Sequence, residues 1–145
     1  MTIREVQSGD LFGLLELYTM LHEKSVPSDS EKLRKLWEDI IADKNHHIIV
    51  AEDNGKIVST CVCVIVPNLT HELRPYAIVE NVVTHEAYRN RGLASACLQK
   101  AKEIAVAENC YKLMLMTGSK KEETLRFYER AGYNRQDKTG FIQWI

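Results

Sequence analysis

Hydrophobic positions change their period several times along this chain, and each change marks an element. Ile3 to Val6 is a short β-prone run. Leu11, Leu14, Leu15, Leu17, Tyr18 and Leu21 then share one face at helical spacing, with Ser8 or Asp10 in place to cap that helix. The polar stretch HEKSVPSDS breaks it, and Ser30 caps a second helix carrying Leu33, Leu36, Trp37, Ile40 and Ile41. HHIIVAED and KIVSTCVCVIV flank Asn54-Gly55, the pair that most favours a tight hairpin. The second run is apolar on both faces, which suits a central strand, and Pro67 ends it. A strand over Tyr76 to Thr84 follows the loop NLTHELRP. A helix from about Arg91 to Glu108 then buries Ala94, Cys97, Leu98, Ala101, Ile104 and Ala105. Lys112 to Thr117 reads as a strand, and Glu122 to Ala131 as a short helix that Gly132 terminates. Tyr133 starts a strand, Lys138-Thr139-Gly140 turns it, and Phe141 to Ile145 returns as the last strand.

The resulting order, β-α-α-β-β-β-α-β-α-β-β, describes an α/β chain with one mixed sheet and helices on both faces. With 145 residues and no linker or repeat, residues 1–145 are expected to form a single domain. A net charge of −1 gives no general pull toward nucleic acid or an anionic membrane. No apolar run is long enough to cross a bilayer, and MTIREVQSGD carries charge where a signal peptide would be apolar; the expected location is cytoplasmic. Cys61, Cys63, Cys97 and Cys110 form no CxxC and have no histidine at a metal spacing, so they are expected as small hydrophobes, with no metal site.

One stretch asks for a ligand. Tyr88-Arg89-Asn90-Arg91-Gly92-Leu93-Ala94 sits between an apolar strand and the start of a long helix. A helix N-terminus offers unpaired amides and the positive end of the macrodipole, and so suits phosphate. Gly92 and Ala94 keep side chains clear of the backbone, while Arg89 and Arg91 add charge. The pattern is neither GxxxxGK[ST] nor GxGxxG, so a phosphate site of another kind is implied.

The run Val82 to Ala94, VVTHEAYRNRGLA, resembles the acetyl-CoA signature of the GNAT superfamily of N-acetyltransferases, with Arg89, Gly92 and Ala94 at its R-x-x-G-x-A positions. Leu125 to Tyr133, LRFYERAGY, is similar to the closing motif of the same family. The resemblance implies a central, mostly antiparallel sheet of about seven strands with four helices over its faces. It implies acetyl-CoA bound through Arg89, Asn90, Arg91, Gly92, Leu93, Ala94 and Ser95, with Phe127 also at the cofactor. The pantetheine arm would lie along Val82 and Val83. Lys121 and Thr124 stand where the family often has Asn and Ala.

Glu80 interrupts the apolar strand AIVENVV. A buried carboxylate needs a partner or a raised pKa, and one tuned that way can act as a general base on an ammonium acceptor; the other reading is a structural Glu tied to an amide or an arginine. Tyr128 is the family's usual general acid for the departing thiolate. The expected reaction is direct attack by a primary amine of a small molecule on the thioester. The alternative is a non-catalytic module that binds or senses acyl-CoA. Arg74 and Tyr76, at the mouth of the Glu80 strand, are candidate acceptor contacts. RPYAIVENVV resembles the matching strand of glucosamine-phosphate N-acetyltransferases. The sequence leaves a homodimer open.

Overall fold

The computed structural model describes every residue from Met1 to Ile145. Its strands are β1 (Thr2–Glu5), β2 (His46–Asp53), β3 (Lys56–Val66), β4 (Tyr76–Thr84) and β5 (Leu113–Leu115); its helices are α1 (Leu11–Tyr18), α2 (Glu31–Ala42), α3 (Leu93–Ala107) and α4 (Glu122–Arg130). The strands form one sheet in chain order. The first three pairings are antiparallel, and β4 with β5 is parallel through the α3 crossover.

Local chemistry accounts for the elements. Ser30 Oγ accepts the Leu33 amide at 3.1 Å and starts α2. Asp10 Oδ2 accepts the Gln7 amide at 2.6 Å ahead of α1, while Arg4 grips Asp10 and Glu52. Asn54 and Gly55 both take positive φ, +49° and +82°, which a primed two-residue hairpin turn requires.

Two apolar clusters lie on opposite sides of the sheet. Ile49, Ala51, Val58, Cys61, Cys63, Ala77 and Val79 pack under α3, whose Leu93, Cys97, Leu98, Ala101 and Ala105 are buried. Ile48, Val50, Val62 and Val83 pack under α1 and Trp37 of α2. Cys61 and Cys63 share the α3 side, and all four cysteines are free thiols. Leu36 and Ile41, expected in the buried stripe of α2, are exposed, because α2 meets the sheet chiefly through Trp37.

The sheet has five strands, not about seven. Neither the segment from Tyr133 nor Phe141 to Ile145 is a strand. Their β-prone composition is real, but a strand exists only when paired, and no residue from Asn134 to Ile145 makes a backbone–backbone hydrogen bond. Arg135 ties the segment to Glu122 and Glu129 of α4 instead, at 2.8 and 2.5 Å.

Candidate active site

The site grows from an irregularity in β4. Thr60 pairs with Val83 and Val62 with Glu80, so Asn81 and Val82 together face the single residue Cys61. This is a β-bulge, with Asn81 at φ +53°, a conformation that Asn tolerates better than most residues. The extra residue reverses the facing beyond it. Val79 and Val82 both pack on the α3 side, and Val83 turns to the α1 side.

The same place ends the pairing with β5. The parallel ladder joins Ala77–Val79 to Leu113–Leu115 and stops. From Glu80 onward, the edge of β4 that faces β5 has no strand partner.

After β4 the chain makes a short 3-10 turn over Glu86–Tyr88, capped by His85 Nδ1, which accepts the Ala87 amide at 3.2 Å. Asn90 and Gly92 then take left-handed φ of +61° and +76°, and α3 begins. The first intrahelical bond here runs from the Ala96 amide to the Gly92 carbonyl. No main-chain N–H from Asn90 to Ser95 has an acceptor in the protein, and no side chain caps the helix. Such a run of amides at the positive end of a helix is an anion-binding concavity. A Cβ built on Gly92 would meet nothing within 4 Å, so the space above it is open.

Positive side chains surround that mouth. Arg89 Nε donates to the Thr84 carbonyl at 3.3 Å, and Arg91 donates to Ala87 O at 3.1 Å with its guanidinium 4.9 Å from the Tyr88 ring centroid. Lys56, the first residue of β3, lies 3.2 Å from His85 Nε2. A groove of about 420 Å³ leads away between α3 and α4, lined by Ser95, Gln99, Phe127 and Arg130 among others. Lys56, Gln99 and Arg130 escaped the sequence reading. Gln99 lies four residues after Ser95, and Arg130 three after Phe127, so helical spacing alone put each on the face of a residue already chosen. A separate groove of about 430 Å³ between α1 and the β2–β3 turn touches this region only through Lys56 and His85.

Tyr128 is half-buried on the α3 side, with ring centroids 5.0 Å from Phe127 and 6.3 Å from Tyr133. Burial raises its phenol above the usual tyrosine range, reinforced by the Cys61 thiol, so it is protonated at neutral pH. Tyr18, at the end of α1, is pushed up to about 12 by burial, with the nearby Asn81 side chain pulling the other way. Sixty-three positions apart in the chain, Tyr18 and Asn81 carry no shared pattern that would join them.

Glu80 departs from expectation. It is exposed and makes no hydrogen bond or ion pair, so the premise of a buried, partnered carboxylate fails. Ala77 and Val79 supply the apolar character of the strand toward α3, whereas Tyr76, Ile78 and Glu80 alternate onto the other face. No helix packs over that face at β5, where Met114 and Met116 are exposed. Tyr76 lies on this open face, with Lys112 Nζ 5.3 Å from its ring centroid. Arg74 is engaged elsewhere: its guanidinium donates to the carbonyls of Asn109 and Cys110 at 3.1 and 3.0 Å, closing the exit of α3. Thr124 and Lys121 gather on Ser119, whose hydroxyl is 3.2 Å from Thr124 Oγ1 and accepts the Lys121 amide at 3.3 Å.

A sheet that splits beside a bulged strand, with bare amides at the following helix, defines a class that known proteins share. Residues 13–133 match the model of the acetyltransferase (GNAT) family, and the chain belongs to that family of acyltransferases. The fold agrees closely with a solved structure from Agrobacterium tumefaciens str. C58 assigned to the acetyltransferases, at 41% identity, 100% coverage of both chains and a TM-score of 0.92. A solved transcriptional regulator from Bacillus halodurans C-125 is 29% identical with a TM-score of 0.83, covering 99% of each chain. A glucosamine 6-phosphate N-acetyltransferase from Trypanosoma brucei brucei is 28% identical over 142 residues, spanning 94% of this chain and 90% of the relative. No helix is long and apolar enough to cross a membrane.

Proposed function

We propose that the protein transfers the acetyl group of acetyl-CoA to a primary amine of a small molecule, by direct attack within a ternary complex. The observation that carries this reading is the uninterrupted run of unpaired amides from Asn90 to Ser95 at the mouth of α3. Acetyl-CoA supplies the activated acyl thioester. The amides of Asn90 to Ser95 hold its pyrophosphate, with charge from Arg89, Arg91 and Lys56; the Arg89 amide, expected in that set, is taken by the Glu86 carbonyl at 3.3 Å. The open edge of Val82 and Val83 receives the pantetheine arm as an added strand, and an amide at the bulge meets the developing oxyanion. Ser95, Gln99, Phe127 and Arg130 line the groove for the rest of the cofactor.

The acceptor lies on the open face of β4 and β5. Glu80 takes a proton from the ammonium, directly or through water; its exposure gives it access to both. The amine nitrogen then bonds to the acyl carbon, the carbon–sulfur bond breaks, Tyr128 gives its proton to the departing sulfur, and the second nitrogen proton leaves through water as the phenol is restored. No acyl-enzyme forms. Tyr76 offers a ring edge to the acceptor, and Arg74 positions the strand from below rather than contacting the acceptor. The name of the Trypanosoma relative makes amino sugar phosphates the first acceptors to test. A thiol-release screen over amino sugars, polyamines, aminoglycosides, amino acids and peptide amines tests the reading. Saturable, amine-dependent release supports it. Tight CoA binding without release from any amine would leave the chain a sensor of acyl-CoA.

A further inference from the structure

One contact beside the mouth of α3 joins donors to donors. His85 Nδ1 faces the Ala87 amide at 3.2 Å, and His85 Nε2 lies 3.2 Å from Lys56 Nζ. Both neighbours can only donate. A neutral imidazole has one lone pair, so it serves one of them and turns an N–H toward the other; protonating the ring only adds a donor. The amide is fixed in the 3-10 turn, whereas the ammonium rides on a flexible four-carbon stem. The lone pair therefore belongs to the amide, the ring proton sits on Nε2, and Lys56 is the mismatched partner. The ion pairs of lysine and histidine in this chain are those of Lys35, His47 and Lys100, so neither Lys56 nor His85 has one. Two converging N–H groups, one of them fully charged, call for an anion between them.

These two donors line the groove of about 430 Å³ between α1 and the β2–β3 turn. That volume lies in the range of small-molecule sites. Glycine keeps the groove open: a Cβ on Gly9 or Gly55 would meet nothing within 4 Å, and one on Gly13 would touch only the Ile57 side chain. Two carboxylates share the lining. Asp10 is occupied, its oxygens accepting from Arg4 and from the Gln7 amide. Glu16, on α1, is exposed and has neither a hydrogen bond nor an ion pair for its side chain. The groove thus holds unpaired positive charge on its sheet wall and one unpaired negative charge on its helix wall.

We propose that this groove is a second ligand site, which takes a small phosphate monoester bearing an amine, with the phosphate between Lys56 and His85 and the ammonium against Glu16. A phosphate monoester carries about −1.5 to −2 charge at pH 7 and has oxygens enough to accept from Nζ and Nε2 together. Water could accept the Nε2 proton but would leave the Lys56 charge without a counterion. The amine is what the free Glu16 carboxylate adds to the recognition.

Lys56 couples this site to the mouth of α3. In the function proposed above it lends charge to the diphosphate of CoA, and a phosphate in the groove draws that charge away, so the two ligands oppose each other. The coupling is reciprocal. Between exposed charges it falls at the low end of the usual range, about fivefold in either Kd. This consequence rests on the proposed function, whereas the groove site does not.

Amide NMR of the labelled full chain, titrated with phosphoethanolamine, inorganic phosphate and ethanolamine, tests the site. Phosphoethanolamine should give saturating shifts at Gly9, Gly55, Lys56 and His85, phosphate weaker binding at the same residues, and ethanolamine none. Lys56→Met should weaken phosphoethanolamine by about tenfold or more, and Lys56→Arg should restore most of the loss. Glu16→Gln should weaken phosphoethanolamine about threefold and leave phosphate unchanged. All three variants change an exposed side chain and should fold. No shift at the groove, shifts gathered on Asn90 to Ser95 instead, or an affinity that Lys56→Met leaves unchanged would overturn the site; equal affinities for phosphate and phosphoethanolamine would overturn the role of the amine. Calorimetry with CoA reads the coupling. Saturating phosphoethanolamine should raise the Kd for CoA about fivefold and no further. A rise without limit would mean competition for the mouth itself and would overturn a separate site, while no rise would overturn the coupling. Dephospho-CoA distinguishes the cofactor's own phosphate monoester from a separate ligand. Lys56→Met should weaken CoA and dephospho-CoA alike; weakening of CoA alone would assign the Lys56–His85 pair to the 3′-phosphate of the cofactor and overturn the second site. Groove shifts in a chain that binds no CoA would support the site and count against acetyl transfer instead.

Discussion

Gly92→Ala separates the phosphate site from the fold that carries it. Gly92 sits at φ +76°, where a Cβ costs about 1–2 kcal/mol of backbone strain. The added atom meets nothing within 4 Å, so no clash with the protein adds to that strain. Unfolding should therefore shift down by roughly 2–4 °C for each kcal/mol in a chain of this size. The same methyl intrudes where a phosphate must approach the amides from Asn90 to Ser95. Losing one charge-assisted hydrogen bond costs about 1.5–3 kcal/mol, which is roughly a 10- to 150-fold rise in Kd. Gly55→Ala is the control: it has φ +82°, equally open surroundings and a place in the β2–β3 turn outside the amide run. It should lose comparable stability and keep its affinity for CoA. Thermal unfolding and titration calorimetry with CoA, both on folded protein, read the two effects separately. Wild-type affinity in Gly92→Ala, or an equal loss in Gly55→Ala, would refute the argument that this mouth holds the diphosphate.

Tyr128→Phe should lower kcat by about 100-fold or more while leaving CoA affinity unchanged, as expected for a proton donor used only in the chemical step; an unchanged kcat assigns the proton to water. Asn81→Gly should keep the bulge and most of the turnover, whereas Asn81→Val should lose both, since a β-branched residue resists φ +53°; kinetics on the two variants decide it. Stability should fall as pH climbs from about 9 toward 12. Burial raises the thiols of Cys97 and Cys63 to about 11 and about 12, and the phenol of Tyr18 to about 12, so the unfolded chain loses these protons first. These contributions are fully present below the unfolded pKa values and vanish above the folded ones. Denaturant midpoints that stay flat from pH 8 to 11 would contradict that burial.

Periodicity revealed most of the scaffold because each face of the sheet is covered by a helix with its own stripe. Asn54-Gly55, Ser30 and Gly132 marked boundaries for the same reason, since each satisfies a local backbone need that no other part of the chain has to supply. The open mouth of α3 was foreshadowed by Gly92 and Ala94, which keep side chains clear of the backbone there. What stayed hidden depends on neighbours. The bulge at Asn81 exists only against β3, and Glu80 looked buried because its strand is apolar toward α3 while its other face is open. Arg74 looked free because the carbonyls of Asn109 and Cys110 are 35 and 36 positions away in sequence. The two missing strands have strand-like residues, but no backbone hydrogen bond joins them to the sheet, whose β5 edge stays free.

If the amides from Asn90 to Ser95 grip a diphosphate, amide NMR of uniformly labelled protein titrated with CoA observes those groups directly. Saturating shifts concentrated from Asn90 to Ser95, with smaller ones at Val82, Val83 and along the groove to Arg130, are the expected result. Shifts that leave this run unmoved and gather elsewhere would contradict it.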